Sequence, residues 1–113
     1  MTIRVYGIKN CGSVSKARAL LESLGVGYEF VDFKKNPPSR QDIESWIAKS
    51  SLQELLNTKG MTYKKLGLKD KNLSDEEKIQ AMLANPSLIK RPVIEAQAFI
   101  VGFDEAKISA LKC

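Results

Sequence analysis

The sequence contains no histidine and two cysteines, Cys11 and Cys113, of which the second ends the sequence. Two cysteines cannot build a disulfide framework, and two thiols without histidine make a poor structural zinc site. A disulfide-stapled fold and a structural metal are therefore not expected. We expect a reduced thiol at Cys11, with neither a metal nor a nucleotide as cofactor.

Long apolar runs are also missing. No stretch approaches the roughly 20 consecutive apolar residues that a membrane-spanning helix needs, and the start, MTIRVYG, lacks the basic-then-apolar pattern of a secretory signal. The 113 residues are 43% hydrophobic and 27% charged, which suffices to bury a core. We expect a single domain over residues 1–113 that is cytoplasmic and does not contact a membrane.

The charge is unbalanced, because 18 lysines and arginines against 13 acids give a net charge of +5. The excess is distributed over basic pairs at 34–35, 64–65 and 90–91. A distributed excess is typical of a solvated surface and not of a compact nucleic-acid-binding patch. No direct binding of nucleic acid is expected, whereas small anionic ligands and acidic protein partners suit such a surface.

The first part of the chain predicts a β-α-β unit. Residues 2–8 alternate apolar and polar side chains as a strand does, and Gly7 then loosens the chain before Cys11. Apolar residues recur at helical spacing from Val14 to Leu24, and a second β-rich run covers residues 28–33. The two strands are expected to be parallel, with a right-handed crossover.

The rest of the chain predicts helices followed by a hairpin and a last helix. The prolines of NPPSRQD end the second strand, Ser39 can cap a helix, and Ser74 with Glu77 forms a capping box. Helices are thus expected over about residues 38–88, before a hairpin in RPVIEAQAFIVGF and a short helix in DEAKISAL. The order β-α-β … β-β-α predicts an α/β fold of the thioredoxin-like class with a helical insertion.

Cys11 lies between the first strand and the first helix, where such a fold delivers a loop residue to a helix N-terminus. Unpaired N–H groups and the helix dipole favour negative charge there. With Lys9 and Lys16 as nearby cations, the thiol pKa is expected to fall from about 8.5 to between roughly 3.5 and 7.5. The alternative is that Cys11 is a buried structural residue that only fills space in the core. Ser13 could donate to the sulfur or to a bound anion, or it could only cap the helix.

Four segments, YGIKNCGSVSKA, YEFVDFKK, LLNTKGMTYKKLGL and IKRPVI, closely resemble the arsenate reductase (ArsC)/Spx family, and most closely its YffB-like branch of short proteins. The resemblance implies a thioredoxin-like fold with a helical insert and a nucleophilic cysteine. It also implies an arginine that handles an anion or glutathione, followed by a cis proline that faces the cysteine. The predicted site comprises catalytic Cys11 with the substrate- or glutathione-binding residues Lys9, Gly12, Ser13, Lys59, Arg91 and Pro92.

The residues themselves agree with a role for Arg91. A residue before proline is held extended, and Pro92 is permitted at the start of a strand. An arginine at the start of that strand can bind a carboxylate or an oxyanion bidentately, or it can form a surface ion pair. Lys59, with Lys64 or Lys65, could assist Arg91 in binding the carboxylates of glutathione, or these lysines could remain solvated. Cys113 could resolve a disulfide formed by Cys11, or it could be the end of a disordered tail.

Two departures from the family narrow the function. Asn57 and Gly102 fall where arsenate reductases carry two further oxyanion-binding arginines, so little or no arsenate reduction is expected. The Cys-x-x-Cys of many Spx regulators is CGSV here, with Val14 in the second position, which excludes a local disulfide switch. The prediction is a monothiol reductase with glutathione as co-substrate. The alternative is an Spx-like, non-enzymatic transcriptional regulator that binds RNA polymerase.

Overall fold

The computed structural model describes residues 3–9 and 11–111, and these form two compact units. The sheet unit lies within Met1–Asn36 and Arg91–Cys113, and the insert unit is Pro37–Lys90. The helices predicted over about residues 38–88 fall in the insert unit. In the described part of the chain, no helix combines the length and the apolar character needed to cross a bilayer.

The sheet unit is built on four strands, β1 (Arg4–Gly7), β2 (Glu29–Asp32), β3 (Val93–Glu95) and β4 (Phe99–Val101). Their order is β2-β1-β3-β4, with β1 parallel to β2 and the other neighbours antiparallel. Val5 in the middle of β1 is opposite Phe30 on one side and Ile94 on the other. The predicted β-α-β unit and the predicted hairpin are thus confirmed.

The described residues form six α-helices, namely α1 (Gly12–Ser23), α2 (Arg40–Lys49), α3 (Leu52–Leu55), α4 (Met61–Lys65), α5 (Asp75–Ala84) and α6 (Glu105–Ser109). The first and the last belong to the sheet unit, and the other four belong to the insert unit. Two 3₁₀ turns, Leu68–Asp70 and Pro86–Leu88, follow α4 and α5. This is the thioredoxin-like α/β fold with a helical insertion that the element order predicts.

The core of the sheet unit lies where α1 and α6 pack on one face of the sheet. Ala17 and Leu21 stand one helical turn apart on α1, and they meet Val5, Ile94 and Ile108 in a cluster of buried side chains. Burial of each large apolar side chain stabilises the fold by about 1.5–3 kcal/mol. This packing holds α1, and with it the residue that precedes α1, against the end of β1.

The insert unit has its own buried side chains, among them Trp46 on α2, Leu55 on α3 and Met82 on α5. Capping boxes begin α2 at Ser39 and α5 at Ser74. The sequence predicts the box at Ser74, whereas at Ser39 it predicts a helix cap. Each box satisfies N–H groups that a helix start leaves without intrahelical partners. Local capping residues therefore begin the two longest helices of the unit, and buried apolar side chains stabilise them.

An arginine clamp joins α2 to α5 on the surface of the insert unit. Arg40 donates from Nη1 to Oε2 of Glu76 at 2.7 Å and from Nη2 to Oε1. Hydrogen bonding by Arg40, followed by that of Gln80, lowers the pKa of Glu76 to about 2. Because the folded pKa lies below the unfolded value of about 4.3, the clamp contributes stability above that value and loses it as the pH falls toward 2.

We expect Glu76→Gln to lower the thermal midpoint slightly at neutral pH, since exposed ion pairs contribute little. The difference from wild type should then shrink as the pH is lowered from about 4.3 to about 2. Melts followed by circular dichroism at stepwise pH measure this. Glu54→Gln is the matched control, because Glu54 is also a first-turn glutamate and the described residues offer it no arginine partner. If the difference in thermal midpoint between Glu76→Gln and wild type stayed constant down to about pH 2, the ion pair of Arg40 with Glu76 would not be the source of that stability.

Candidate active site around Cys11

Cys11 is the N-cap residue of α1. Its backbone is extended, with φ −89° and ψ 128°. Its carbonyl oxygen accepts the Ser15 N–H at 2.9 Å, and its own N–H donates to the Ile8 carbonyl at 3.2 Å. The thiol is free and half-buried. The prediction that the loop after β1 delivers Cys11 to the helix N-terminus is confirmed.

The surroundings of Cys11 lower the pKa of its thiol. Burial acts most strongly and raises the pKa, because it disfavours the thiolate. The backbone N–H of Val14 and a hydrogen bond from Arg91 act in the opposite direction, joined by the N–H of Ser13 and the Arg91 charge. Together they outweigh burial, so the pKa lies below its ordinary value. The predicted direction is therefore confirmed.

The cation with a leading effect on the thiol pKa is Arg91, whereas the sequence pointed to Lys9 and Lys16. Both lysines are exposed, whereas Arg91 is half-buried with a buried Nε. A flexible exposed ammonium is screened by water and salt, and a guanidinium held beside the sulfur is screened far less. Arg91 acts on the thiol although it is 80 residues away in the sequence.

The fold brings Arg91 to Cys11 through the pairing of β3 with β1. Arg91 and Pro92 lead directly into β3, and β3 lies beside the strand whose end precedes Cys11. The Arg91–Pro92 peptide bond is cis, as the family resemblance implies. Pro92 is buried, and its carbonyl accepts the Gly102 N–H at 2.8 Å. The arginine is thus fixed by a strand start that is itself hydrogen-bonded.

The remaining predicted site residues differ in what they offer. Gly12 and Ser13 form the first turn of α1 and are exposed, and a Cβ placed on Gly12 would meet nothing within 4 Å. Ser13 acts on the sulfur through its N–H, while its hydroxyl has no hydrogen-bond partner among the described residues. Lys59 belongs to the insert unit, and Cys113 lies outside the described residues. The described site is therefore Cys11, its helix turn and Arg91.

Sequence reasoning missed the contact between Gly7 and Val14. A Cβ on Gly7 would lie 2.5 Å from Cγ2 and 3.2 Å from Cγ1 of Val14, which is fully buried. The first turn of α1 therefore approaches the end of β1 as closely as only glycine permits. Gly7 therefore does not only add flexibility before Cys11. Its missing side chain lets the first turn of α1, which follows Cys11, pack closely against the end of β1.

We expect Gly7→Ala to destabilise the protein by about 1–3 kcal/mol, since overpacking forces stiff side chains such as valine to move. Urea unfolding measures the change. In Gly7→Ala/Val14→Ala the clash is removed, so the double variant should lose less than the sum of the two single losses. Gly12→Ala is the control, because nothing obstructs its added Cβ. Equal midpoints for Gly7→Ala and wild type would contradict this packing.

The lowered thiol pKa predicts an alkylation profile. In a Cys113→Ser background, the rate of reaction with iodoacetamide should rise with pH through a midpoint below the value of about 8.5 for free cysteine. The reason is that thiolate, not thiol, is the nucleophile. A midpoint at or above the pKa of free cysteine would contradict the claim that the helix N-terminus and Arg91 lower the pKa of Cys11.

A family model described as the ArsC family matches residues 6–111. The chain belongs to the ArsC family. It is 38% identical over 98 residues to an arsenate reductase of Rhizobium meliloti strain 1021, a match that covers 85% of this chain and 70% of that relative. It is 32% identical over 110 residues to the protein YusI of Bacillus subtilis strain 168, covering 93% of each.

Solved structures agree with the ArsC assignment. The YFFB (PA3664) protein has a TM-score of 0.91 at 37% identity and covers 99% of this chain and 100% of its own. A possible arsenate reductase from Streptococcus mutans UA159 has a TM-score of 0.77 at 33% identity, covering 90% and 91%. The predicted family and its YffB-like branch are confirmed, and membership supports a thiol oxidoreductase.

Proposed function

We propose that this ArsC-family protein is a glutathione-dependent monothiol reductase with Cys11 as its nucleophile. The observation that carries the proposal is the placement of the Cys11 thiol between the first turn of α1 and Arg91. A thiolate stabilised in this way is nucleophilic near neutral pH. The same positive groups are complementary to the carboxylates of glutathione.

The reaction proceeds through one mixed disulfide. The Cys11 thiolate attacks the glutathione sulfur of a substrate mixed disulfide, forms a Cys11–glutathione bond and releases the substrate as a thiolate. A second glutathione thiolate then attacks the glutathione sulfur of that adduct, frees Cys11 and leaves as oxidised glutathione. The net reaction oxidises one free glutathione thiol and converts the substrate mixed disulfide into the substrate thiol and oxidised glutathione. The chemistry calls for a reducing compartment, and we place it in the cytoplasm.

The monothiol character follows from Val14. This side chain is fully buried and stands where a Cys-x-x-Cys pair would hold its second sulfur. No second thiol in this loop can therefore release an adduct from Cys11, and we propose that glutathione releases it. Lys9, Gly12 and Ser13 lie near Cys11 in the sequence and are exposed, and buried Pro92 follows Arg91. We propose that the tripeptide binds along these residues.

Arsenate is proposed to be a poor substrate. A doubly charged oxyanion needs more cationic contacts than Arg91 alone supplies. Gly102 has φ 85°, a conformation in which an arginine would be strained. The Asn57 side chain accepts the Lys59 N–H at 3.3 Å, and an amide carries no charge to offer an oxyanion. Neither position supplies the guanidinium that arsenate binding calls for.

A coupled assay tests the proposed function. Purified protein is given glutathione, glutathione reductase and NADPH, with either a glutathione–peptide mixed disulfide or arsenate as substrate. We expect clear oxidation of NADPH with the mixed disulfide and little with arsenate. Turnover of arsenate alone would replace the proposal with arsenate reduction.

The Spx-like regulator remains the alternative prediction, and it requires a docking surface but no reactive thiol. Retention of RNA polymerase by immobilised wild type and Cys11→Ser to the same extent, without glutathione turnover, would favour the regulator. Turnover without retention of polymerase favours the reductase.

A further inference from the structure

The positive charge of the chain is concentrated in one segment of the insert unit. Residues 57–71 carry five lysines and a single acid, Asp70, whereas the whole chain has a net charge of +5. The segment contains α4 and the 3₁₀ turn that follows it. The excess charge is therefore less evenly distributed than the spacing of basic pairs along the sequence indicates.

Three of these lysines, Lys59, Lys64 and Lys69, line one cavity of about 370 Å³ together with Thr58 and Tyr63. Among residues 3–9 and 11–111, no carboxylate lies within ion-pair distance of these three ammonium groups. Three like charges around one concave surface repel each other, and an anion between them would relieve that repulsion. The cavity is thus positively charged without internal compensation.

A second cavity, of about 620 Å³, shares the Thr58 and Tyr63 walls of the first. Its lining adds the polar side chains of Ser51 and Gln53, a further lysine, Lys78, and one carboxylate, Asp75. A ligand whose anionic end occupies the lysine-lined cavity would therefore find hydroxyl and amide groups next to it. The available space exceeds that needed for a single small oxyanion.

We propose that the cavity lined by Lys59, Lys64 and Lys69 binds a small ligand that carries at least two linked phosphate groups. Lysine binds phosphate as a compact point charge. Because solvent and salt weaken each exposed contact, several charges on the ligand are needed to hold it. The hydroxyl groups of Thr58 and Tyr63 can donate to phosphate oxygens. This site uses residues of the insert unit alone and does not rest on the chemistry of Cys11.

Calorimetric titration of the full chain with inorganic pyrophosphate, at fixed ionic strength, tests the proposal. Lys64→Gln/Lys69→Gln removes two ammonium groups from the lining. Lys65→Gln/Lys71→Gln removes the same charge from the same segment, at exposed positions outside the lining. We expect the lining variant to bind at least about tenfold more weakly and the control to stay within about twofold of wild type.

Amide shifts of the wild-type protein give a second readout that needs no variant. On addition of pyrophosphate, the resonances of Thr58, Tyr63 and Lys64 should move and those of Lys65 and Lys71 should move less. Absence of both heat and shifts at millimolar pyrophosphate would overturn the proposal. Equal weakening in both double variants, or sulfate binding as tight as pyrophosphate, would overturn it too, because either result indicates general charge attraction.

Discussion

Replacement of Cys11 by serine is expected to reduce turnover of a glutathione mixed disulfide at least about a thousandfold, because a serine hydroxyl cannot supply the thiolate nucleophile. Val14 leaves no second thiol in the loop to take its place. The fold should be unaffected, since Cys11 is an N-cap residue and serine is among the preferred N-cap residues. The coupled glutathione assay measures the loss, and thermal melting verifies the fold.

Cys113→Ser is the matched control for this prediction, because it makes the same chemical change at the other cysteine. We expect this variant to keep turnover close to that of wild type. The opposite pattern, with activity kept in Cys11→Ser and lost in Cys113→Ser, would move the nucleophile to Cys113 and contradict the site described here.

The change Arg91→Ala should weaken glutathione binding by about 1.5–3 kcal/mol, which corresponds to roughly 10- to 150-fold in affinity. It should also raise the Cys11 pKa, since both a hydrogen bond and a charge that favour the thiolate are removed. Titration of the reduced protein with glutathione and the alkylation profile of Cys11 measure the two effects. Calorimetric melting should record a loss of stability smaller than that of a core truncation.

Comparison with Arg91→Lys separates charge from geometry. Lysine keeps the positive charge but lacks the planar fork that binds a carboxylate bidentately, so its affinity should fall between those of wild type and alanine. If Arg91→Ala lowered the melting temperature by many degrees yet left both glutathione affinity and the Cys11 pKa intact, the arginine would be a structural residue and not a ligand-binding one.

The parts of the fold that follow from local signals were predictable from the sequence. The helix cap at Ser39 and the capping box at Ser74 each depend on residues three apart, and both form where predicted. Cys11 at the start of α1 follows from a strand pattern that gives way to a helical one. In these cases the residues that decide the structure are neighbours in the sequence, so their spacing suffices.

The parts that depend on tertiary packing were not predictable from spacing. Arg91 acts on Cys11 only because β3 pairs with β1, and the residues alone pointed to the nearer Lys9 and Lys16. The approach of Val14 to Gly7 likewise exists only once α1 packs on the sheet. Family resemblance implied an anion-binding role for Arg91, which periodicity could not indicate.

Intact-protein and peptide mass spectrometry after incubation with oxidised glutathione tests the central claim most directly. The Cys11 thiolate should attack one sulfur of oxidised glutathione, form a mixed disulfide and release one glutathione thiolate. We expect one glutathione per chain, mapped to Cys11, and slower formation of this adduct in Arg91→Ala. No adduct, or an adduct on Cys113 alone, would contradict it.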